Sequence, residues 1–172
     1  LCEKRLVPLI DIAYQGFGDG LEEDTKGLRH LSENLPEVII ASSCSKNFGI
    51  YRERTGIILL VSDKKSQKKI NQDMLAFLNR NSFSFPPGHG SRLVTIVLQD
   101  NTLRKNWEEE LRKIRSGMIK NRDALARELR SRTGSDHFGF LSEHRGMFSL
   151  LGFSEEKVSE LRSKHGIYMV SD

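Results

Sequence analysis

The sequence predicts an α/β protein with a mostly parallel sheet, followed by the start of a smaller α+β unit. Short apolar runs at 6–12, 37–42 and 56–61 have the length and composition of buried strands. Continuous apolar strands that are separated by helices are typical of a sheet covered on both faces.

The first run, 6–12, predicts a buried strand that ends near Asp11. A helix at 22–34 follows, because acidic residues occupy its first turn. The runs at 37–42 and 56–61 predict the second and third strands, and the next helix is expected to extend from 62 or 63 to about 79.

Pro86-Pro87-Gly88 breaks the chain, and a short helix is expected after it. A long helix at about 101–133 is then predicted, because its apolar residues recur every three or four positions, and Gly134 is a natural end. At 1.5 Å per residue this helix is about 45 Å long, which is long enough to bridge two domains.

The bridging helix suggests a domain boundary near residue 115, with residues 1–115 in one domain and 116–172 in the next. The second part is expected to contain a strand at 147–151, a capped helix at 154–165 and another strand at 167–170.

Composition narrows the function classes. The chain has a net charge of +4, and its lysines and arginines are dispersed. A basic nucleic-acid-binding module is an alternative function, but no motif supports it. No apolar stretch approaches the roughly 20 residues that a membrane helix needs, so no membrane partner is expected. Cys2 and Cys44 are too few and too far apart for a disulfide framework, which favours a cytoplasmic location, and the five histidines share no metal-ligand spacing.

Lys46 is the most informative residue, because it follows the second apolar run among small and hydroxylated residues. A lysine in a partly dry pocket loses its proton more easily, and the neutral amine can attack a carbonyl to form a Schiff base. An ordinary loop lysine is the alternative for this residue considered alone.

Four further side chains are expected to converge with Lys46 at one sheet edge, where ligands commonly bind. They are a carboxylate, a phenol, a hydroxyl and a guanidinium, from Asp11, Tyr14, Ser43 and Arg54. Pyridoxal 5'-phosphate requires this set: an amine for its aldehyde, an anion for its ring nitrogen, a donor for its phenolate, and arginine with hydroxyls for its phosphate.

Two long motifs carry a resemblance to a known family: residues 11–17 (DIAYQGF) and 42–49 (SSCSKNFG), the latter followed by Tyr51, Glu53, Arg54 and Gly56. They resemble the class I aminotransferases, in the aspartate and aromatic amino acid aminotransferase branch. Residues 80–89, 107–111 and 146–149 resemble the same branch. The resemblance implies the large domain of a fold type I pyridoxal-phosphate enzyme, with 1–115 as its C-terminal part and 116–172 as part of the small domain.

The resemblance also implies residue roles. Lys46 would carry the cofactor in a Schiff base and move the substrate proton, and Asp11 would pair with the pyridinium nitrogen. At about 4 Å and an effective dielectric of 20, such a pair attracts by about 4 kcal/mol before desolvation. Tyr14 would bond the phenolate oxygen, and Ser43 and Arg54 the phosphate.

Arg80 matches the residue that crosses a dimer interface in this family to bind the distal carboxylate of aspartate or glutamate. The resemblance therefore implies a cytoplasmic homodimer that transfers an amino group between aspartate or an aromatic amino acid and 2-oxoglutarate. The alternatives are a helix or turn cap for Asp11, plain core for Tyr14, and surface roles for Arg54 and Arg80.

The chain departs from the family in length, since relatives are more than twice as long. The glycine-containing phosphate loop, the ring-stacking aromatic with its asparagine, and the arginine for the substrate α-carboxylate match no residue here. We therefore expect the segment alone to be inactive, and a non-catalytic fragment or structural core is the second hypothesis. Phe83 and Phe85, near the expected dimer contact, replace polar residues of relatives and favour aromatic substrates.

Overall fold

Three strands form one sheet in the order β1–β2–β3 in the computed structural model, which describes residue 4 and residues 6–170. They are β1 (Leu9–Ile12), β2 (Glu37–Ser43) and β3 (Gly56–Ser62). The first strand is shorter than the run at 6–12 suggested, because Pro8 has no N–H for the ladder and contributes only its carbonyl, which accepts from Ile39 at 2.9 Å.

The sheet is mixed rather than mostly parallel among the described residues. Strands β1 and β2 pair in parallel, whereas β2 and β3 pair antiparallel. Only about a dozen residues separate β2 from β3, which is too short for the helical crossover that a parallel pair requires. The α/β class of the prediction is confirmed, and the described part of its sheet contains one parallel and one antiparallel pair.

Five helices surround or follow the sheet in the described part of the chain. They are α1 (Lys26–Asn34), α2 (Gln67–Phe83), α3 (His89–Gln99), α4 (Asn101–Thr133) and α5 (Glu155–His165). Single 3₁₀ turns lie at Glu23–Thr25, Tyr51–Glu53 and Gly139–Ser142. The helix predicted at 22–34 thus opens with a 3₁₀ turn, and α2 begins and ends about four residues later than predicted.

Helix α4 has the bounds that its apolar spacing predicted, and both of its ends are capped. The Asp100 carboxylate accepts from the backbone N–H groups of Thr102 and Leu103 at 2.8 and 2.9 Å. Gly134 ends the helix in the left-handed conformation, with φ of 66°. The 33 residues form a rod of about 50 Å.

The buried side chains form a small core. Val38 and Ile40 point to one face of β2, and Leu111 of α4 packs beside Gly16 in the loop that follows β1. By contrast, the apolar residues Ile57, Ile58 and Leu59 of β3 are largely exposed.

The strands predicted at 147–151 and 167–170 are wrong, since neither segment joins a ladder among the described residues. A strand needs a neighbouring strand to satisfy its backbone groups. Contacts other than a ladder hold these segments: the N–H of Ile167 donates to the carbonyl of Leu161 in α5 at 3.1 Å, and Arg122 of α4 donates to the Ser149 hydroxyl at 3.0 Å. The helix expected between them is confirmed, and Ser154 caps it.

Candidate functional site

Three chain segments meet at one edge of the sheet. Strands β1 and β2 are parallel, with Asp11 opposite Ala41, so both end at this edge. Strand β3 is antiparallel to β2, with Gly56 opposite Ser43, so the start of β3 lies at the same edge. Arg54 precedes β3. The antiparallel pairing therefore places the backbone of Arg54 close to the end of β2.

Lys46 and Tyr14 are in direct contact at this edge. Lys46 is half-buried in the turn after β2, and its Nζ lies 4.7 Å from the centroid of the Tyr14 ring. Asp11 and Tyr14 line one cleft of about 360 Å³. The amine, the phenol and the carboxylate that the sequence singled out therefore occupy one region of the molecule.

Among the described residues, no hydrogen bond or ion pair engages the Asp11 carboxylate, which is exposed at the end of β1. An unpaired carboxylate beside a cleft is free to pair with a cationic group of a ligand.

The backbone segments that contain Ser43 and Arg54 are adjacent in space, because the N–H of Cys44 donates to the carbonyl of Thr55 at 3.0 Å. The Ser43 hydroxyl oxygen accepts from the N–H of Ser45 at 3.1 Å, which leaves its proton free to donate. Arg54 is exposed and uses one N–H on the carbonyl of Tyr51 at 3.1 Å, so its other donors remain available.

The backbone of Arg54 is in the left-handed region, with φ of 51° and ψ of 46°. A non-glycine residue in this conformation costs about 1 kcal/mol or more, and such strain is concentrated at functional sites.

Arg80 is separate from this cluster. It lies in the last turn of α2, is exposed, and stacks on Phe85 with 5.0 Å from its guanidinium carbon to the ring centroid. The hydrogen bonds, ion pairs and ring contacts of the described residues do not connect it with Lys46. The structure thus brings together five of the six predicted site residues and leaves Arg80 apart.

Asp24 organises the loop that follows Tyr14, a role that the sequence did not reveal. Its carboxylate accepts from the backbone N–H groups of Gly16, Gly18 and Asp19 at 2.8, 3.0 and 2.8 Å, and from Gly20 at 3.4 Å. A Cβ at Gly18 would overlap this carboxylate, so the glycine is required for the close approach. Partial burial alone would raise the pKa of Asp24, but the four amide donors outweigh it and the pKa lies below 3.8.

We expect Asp24→Asn to destabilise the protein by about 1–2 kcal/mol at pH 7, because an amide cannot accept from four N–H groups. The folded pKa is depressed, so this stability is fully present above the unfolded pKa near 4 and is lost as pH falls through the folded value. Urea unfolding at several pH values measures the effect.

The matched control is Asp63→Asn, because Asp63 is an exposed aspartate. An Asp24→Asn deficit that stays constant from pH 7 to pH 2.5 would contradict the role assigned to the carboxylate.

Helix α4 contacts both loops of the site. The Trp107 Nε1–H donates to the carbonyl of Asn47 at 2.6 Å, and its ring stacks on Phe48 with 4.4 Å between centroids. Two turns further along, Arg115 donates to the carbonyl of Gly16 at 3.0 Å. These two polar contacts could not be predicted from the sequence, because a hydrophobic stripe does not reveal which backbone groups its polar atoms meet.

A third segment approaches the site from beyond α4. Arg122 donates to the Ser149 hydroxyl at 3.0 Å and to the Gly146 carbonyl at 2.5 Å. Between these residues, Phe148 meets the Tyr14 ring edge-on at 5.6 Å. The motif at 146–149 therefore lies against the phenol of the candidate site.

Cys44 is close to Lys46 in the chain, but burial raises the pKa of its thiol, so it stays protonated at neutral pH. In the part of the chain that the structure describes, no three histidine, cysteine or acidic residues are grouped to hold a metal ion. Over the same residues, every helix is too short or too polar to cross a lipid bilayer.

The fold and the site match one family of known proteins. Residues 1–171 match the family described as Aminotransferase class I and II, so the chain belongs to that family. The chain is 55% identical over 166 residues to an aromatic-amino-acid aminotransferase of Paracoccus denitrificans, covering 96% of this chain and 42% of the relative. It is 40% identical to the aspartate aminotransferase of Escherichia coli, covering 98% of this chain and 43% of that one.

The fold agrees with solved structures. A structure of an aromatic-amino-acid aminotransferase from Burkholderia pseudomallei, described as covalently bound to pyridoxal phosphate, superimposes with a TM-score of 0.94 at 36% identity. The match covers 99% of this chain and 43% of that one. The predicted family and fold class are confirmed, and the chain spans less than half the length of these relatives.

Proposed function

We propose that this chain is part of a pyridoxal-phosphate-dependent aminotransferase and contains the lysine to which the cofactor is attached. The single observation that supports this proposal most strongly is the 4.7 Å contact between the Lys46 amine and the Tyr14 ring at the sheet edge that bears Asp11. Bound there, the cofactor supplies an electron sink for the carbon that exchanges its amino group.

The residues present fit the cofactor. Lys46 offers the attaching amine, and the uncommitted Asp11 carboxylate offers an anion for a protonated ring nitrogen. The Tyr14 phenol can donate to a phenolate. Ser43 and Arg54 retain donors suited to a phosphate, and bidentate arginine contacts favour that group.

The family's chemistry moves a proton at the substrate, and Lys46 is our proposed acid–base group for this step. An amine freed from the cofactor remains tethered beside the Tyr14 ring, within a short reach of the cleft. Half-burial of the turn that bears Lys46 limits water around the amine.

Borohydride reduction tests the attachment. Treated with cofactor and borohydride, the protein made from its complete coding region should carry one reduced adduct, on the peptide that contains Lys46. Mass mapping that finds the adduct on another lysine, or finds none, would contradict the proposal.

We propose aspartate or an aromatic amino acid as amino donor and 2-oxoglutarate as acceptor. The identities to aromatic-amino-acid and aspartate aminotransferases support these donor classes. Arg80 is the proposed ligand of a distal carboxylate, and its exposed guanidinium at the end of α2 is accessible to a second subunit.

We expect Arg80→Ala to lower kcat/KM for aspartate by about 10–100-fold and to change kcat/KM for phenylalanine by less than about 3-fold. A charged hydrogen-bond pair contributes about 1.5–3 kcal/mol, and only the dicarboxylate makes it. Steady-state kinetics with both donors measures the ratio. Arg92→Ala, in an exposed arginine of α3, is the control, and equal losses for both donors would argue against a substrate contact.

A homodimer is proposed on the exposed apolar face of α2, formed by Ile70, Met74, Phe77 and Leu78, each more than half exposed. Arg80 follows this face directly, so an interface there would carry the arginine toward a partner. Sedimentation velocity of the complete protein measures the assembly.

We propose a cytoplasmic location because the cysteine content is low.

We further propose that a domain boundary lies near residue 115, with α4 in both domains. The support is the division of its contacts: Trp107 and Arg115 meet the loops of the sheet edge, whereas Arg122 meets the segment 146–149.

Turnover is proposed for the complete protein rather than for these 172 residues alone, since relatives are more than twice as long.

A further inference from the structure

The turn that carries Lys46 is held from outside by α4. Within the turn, the N–H of Phe48 donates to Cys44 at 3.3 Å and the N–H of Gly49 donates to Lys46 at 3.1 Å. The carbonyl of Asn47, the residue next to Lys46, accepts the indole N–H of Trp107 at 2.6 Å. This contact joins residues 60 positions apart in the chain.

A second contact acts on the same turn. The Phe48 and Trp107 rings are stacked, with 4.4 Å between centroids and an interplanar angle of 13°. The hydrogen bond fixes where the turn lies along α4, and the stacked rings restrict its rotation about that bond. Together the two contacts define one placement of the backbone on the C-terminal side of Lys46.

The loop that carries Tyr14 is held by the same helix. Arg115 donates to the carbonyl of Gly16, and the Asn47 side chain donates to the carbonyl of Gln15 at 3.4 Å. The residues that follow Tyr14 and those that follow Lys46 are therefore both hydrogen-bonded to α4, and they are also hydrogen-bonded to each other. The 4.7 Å contact between the Lys46 amine and the Tyr14 ring lies between these two supported segments.

We propose that Trp107 is a positioning residue that sets where the Lys46 amine lies relative to Tyr14. Trp107 does not line the cleft, and it acts through Asn47 and Phe48. The proposal rests on the proposed function, since placement of this amine affects chemistry only if the amine is the reactive group. A displacement of about 1 Å at a reacting group can lower a rate by about 100-fold, so a small shift of the turn is measurable.

Two variants separate the contacts. Trp107→Phe keeps an aromatic ring on Phe48 and removes the N–H donor, whereas Phe48→Leu keeps the donor and removes the stacking. Ile114→Ala is the matched control, because Ile114 is an exposed apolar residue of the same helix.

The first readout needs neither cofactor nor turnover. In cofactor-free protein made from its complete coding region, amide hydrogen exchange of the peptide spanning 44–49 should be about five-fold faster in Trp107→Phe. The Ile114→Ala protein should exchange at the wild-type rate over this peptide. Equal exchange in wild type and Trp107→Phe would overturn the proposal.

The second readout distinguishes positioning from mere structural support. With cofactor bound, the pH midpoint of the visible absorption band should shift in Trp107→Phe, and kcat should fall about ten-fold with less than a two-fold change in KM. Faster exchange with an unchanged pH midpoint and kcat would make Trp107 a purely structural residue and would also overturn the proposal.

Phe48→Leu keeps the test decisive if Trp107→Phe does not fold. It should shift the same pH midpoint and lower kcat, and wild-type values would count against the inference. Failure of the proposed function is recognised separately: wild-type protein would then lack the borohydride adduct at Lys46, whatever the exchange of the 44–49 peptide.

Discussion

Lys46→Ala is expected to remove the visible absorption band of the bound cofactor and to lower turnover by at least about 10³-fold. The alanine side chain has no amine to attach the aldehyde, and it provides no acid–base group beside Tyr14. General acid–base catalysis alone contributes about 10²–10⁴-fold, and loss of covalent attachment adds to this effect. Absorption spectra and steady-state kinetics of the complete protein measure both consequences.

The control for this variant is Lys68→Ala, which removes an exposed lysine of α2 that does not line the cleft. It should keep the wild-type band and turnover. An unchanged band in the Lys46→Ala protein would remove the central assignment, since another lysine would then hold the cofactor. A lost band together with unfolding, seen by circular dichroism, would direct the test to Lys46→Arg, which keeps the charge and lacks the nucleophile.

Much of the fold could be predicted from local pattern. The bounds of α4 followed from apolar residues spaced by three and four, since such spacing has one dominant structural solution. The sheet edge that gathers the site was also predicted. The antiparallel pairing that places the start of β3 at this edge was not predicted.

Pairing direction and strand existence are non-local properties, and this explains the errors. The apolar segments 147–151 and 167–170 have strand composition, but a strand also needs a neighbour with free N–H and carbonyl groups. In this chain no strand lies beside either segment among the described residues, and the N–H of Ile167 donates to the carbonyl of Leu161 in α5 instead. A sequence pattern specifies which face of a segment is apolar, and it does not specify which backbone will lie beside it.

Some residues of the candidate site could be proposed from the sequence, and others could not. Lys46 and Asp11 could be proposed as candidates from the sequence, because their chemistry is distinctive for residues at or just after strand ends. Asp24 and Trp107 could not, because an acid in a first turn and an aromatic in an apolar stripe are common. Their roles depend on contacts to the backbone at Gly16, Gly18 and Asn47, which only folding creates.

Asp11→Asn is expected to lower kcat by about 10²-fold or more, with the folded structure unchanged. The proposed partner is a ring nitrogen that stays protonated only beside an anion. An opposite charge at about 4 Å, in a medium of effective dielectric 20, contributes about 4 kcal/mol before desolvation. Asparagine has nearly the same shape and no charge, so the variant isolates this electrostatic contribution.

The exposed position of Asp11 makes this variant tolerable for folding, because no hydrogen bond or ion pair among the described residues engages its carboxylate. The thermal midpoint should therefore stay within about 2 °C of wild type, whereas the absorption band of the bound cofactor should change. Asp73→Asn is the control, since Asp73 is an exposed aspartate of α2 that pairs with Lys69 at 3.0 Å. If Asp11→Asn retained wild-type kcat, the carboxylate would not serve the ring nitrogen, and an anion from elsewhere in the protein would be needed to keep that nitrogen protonated.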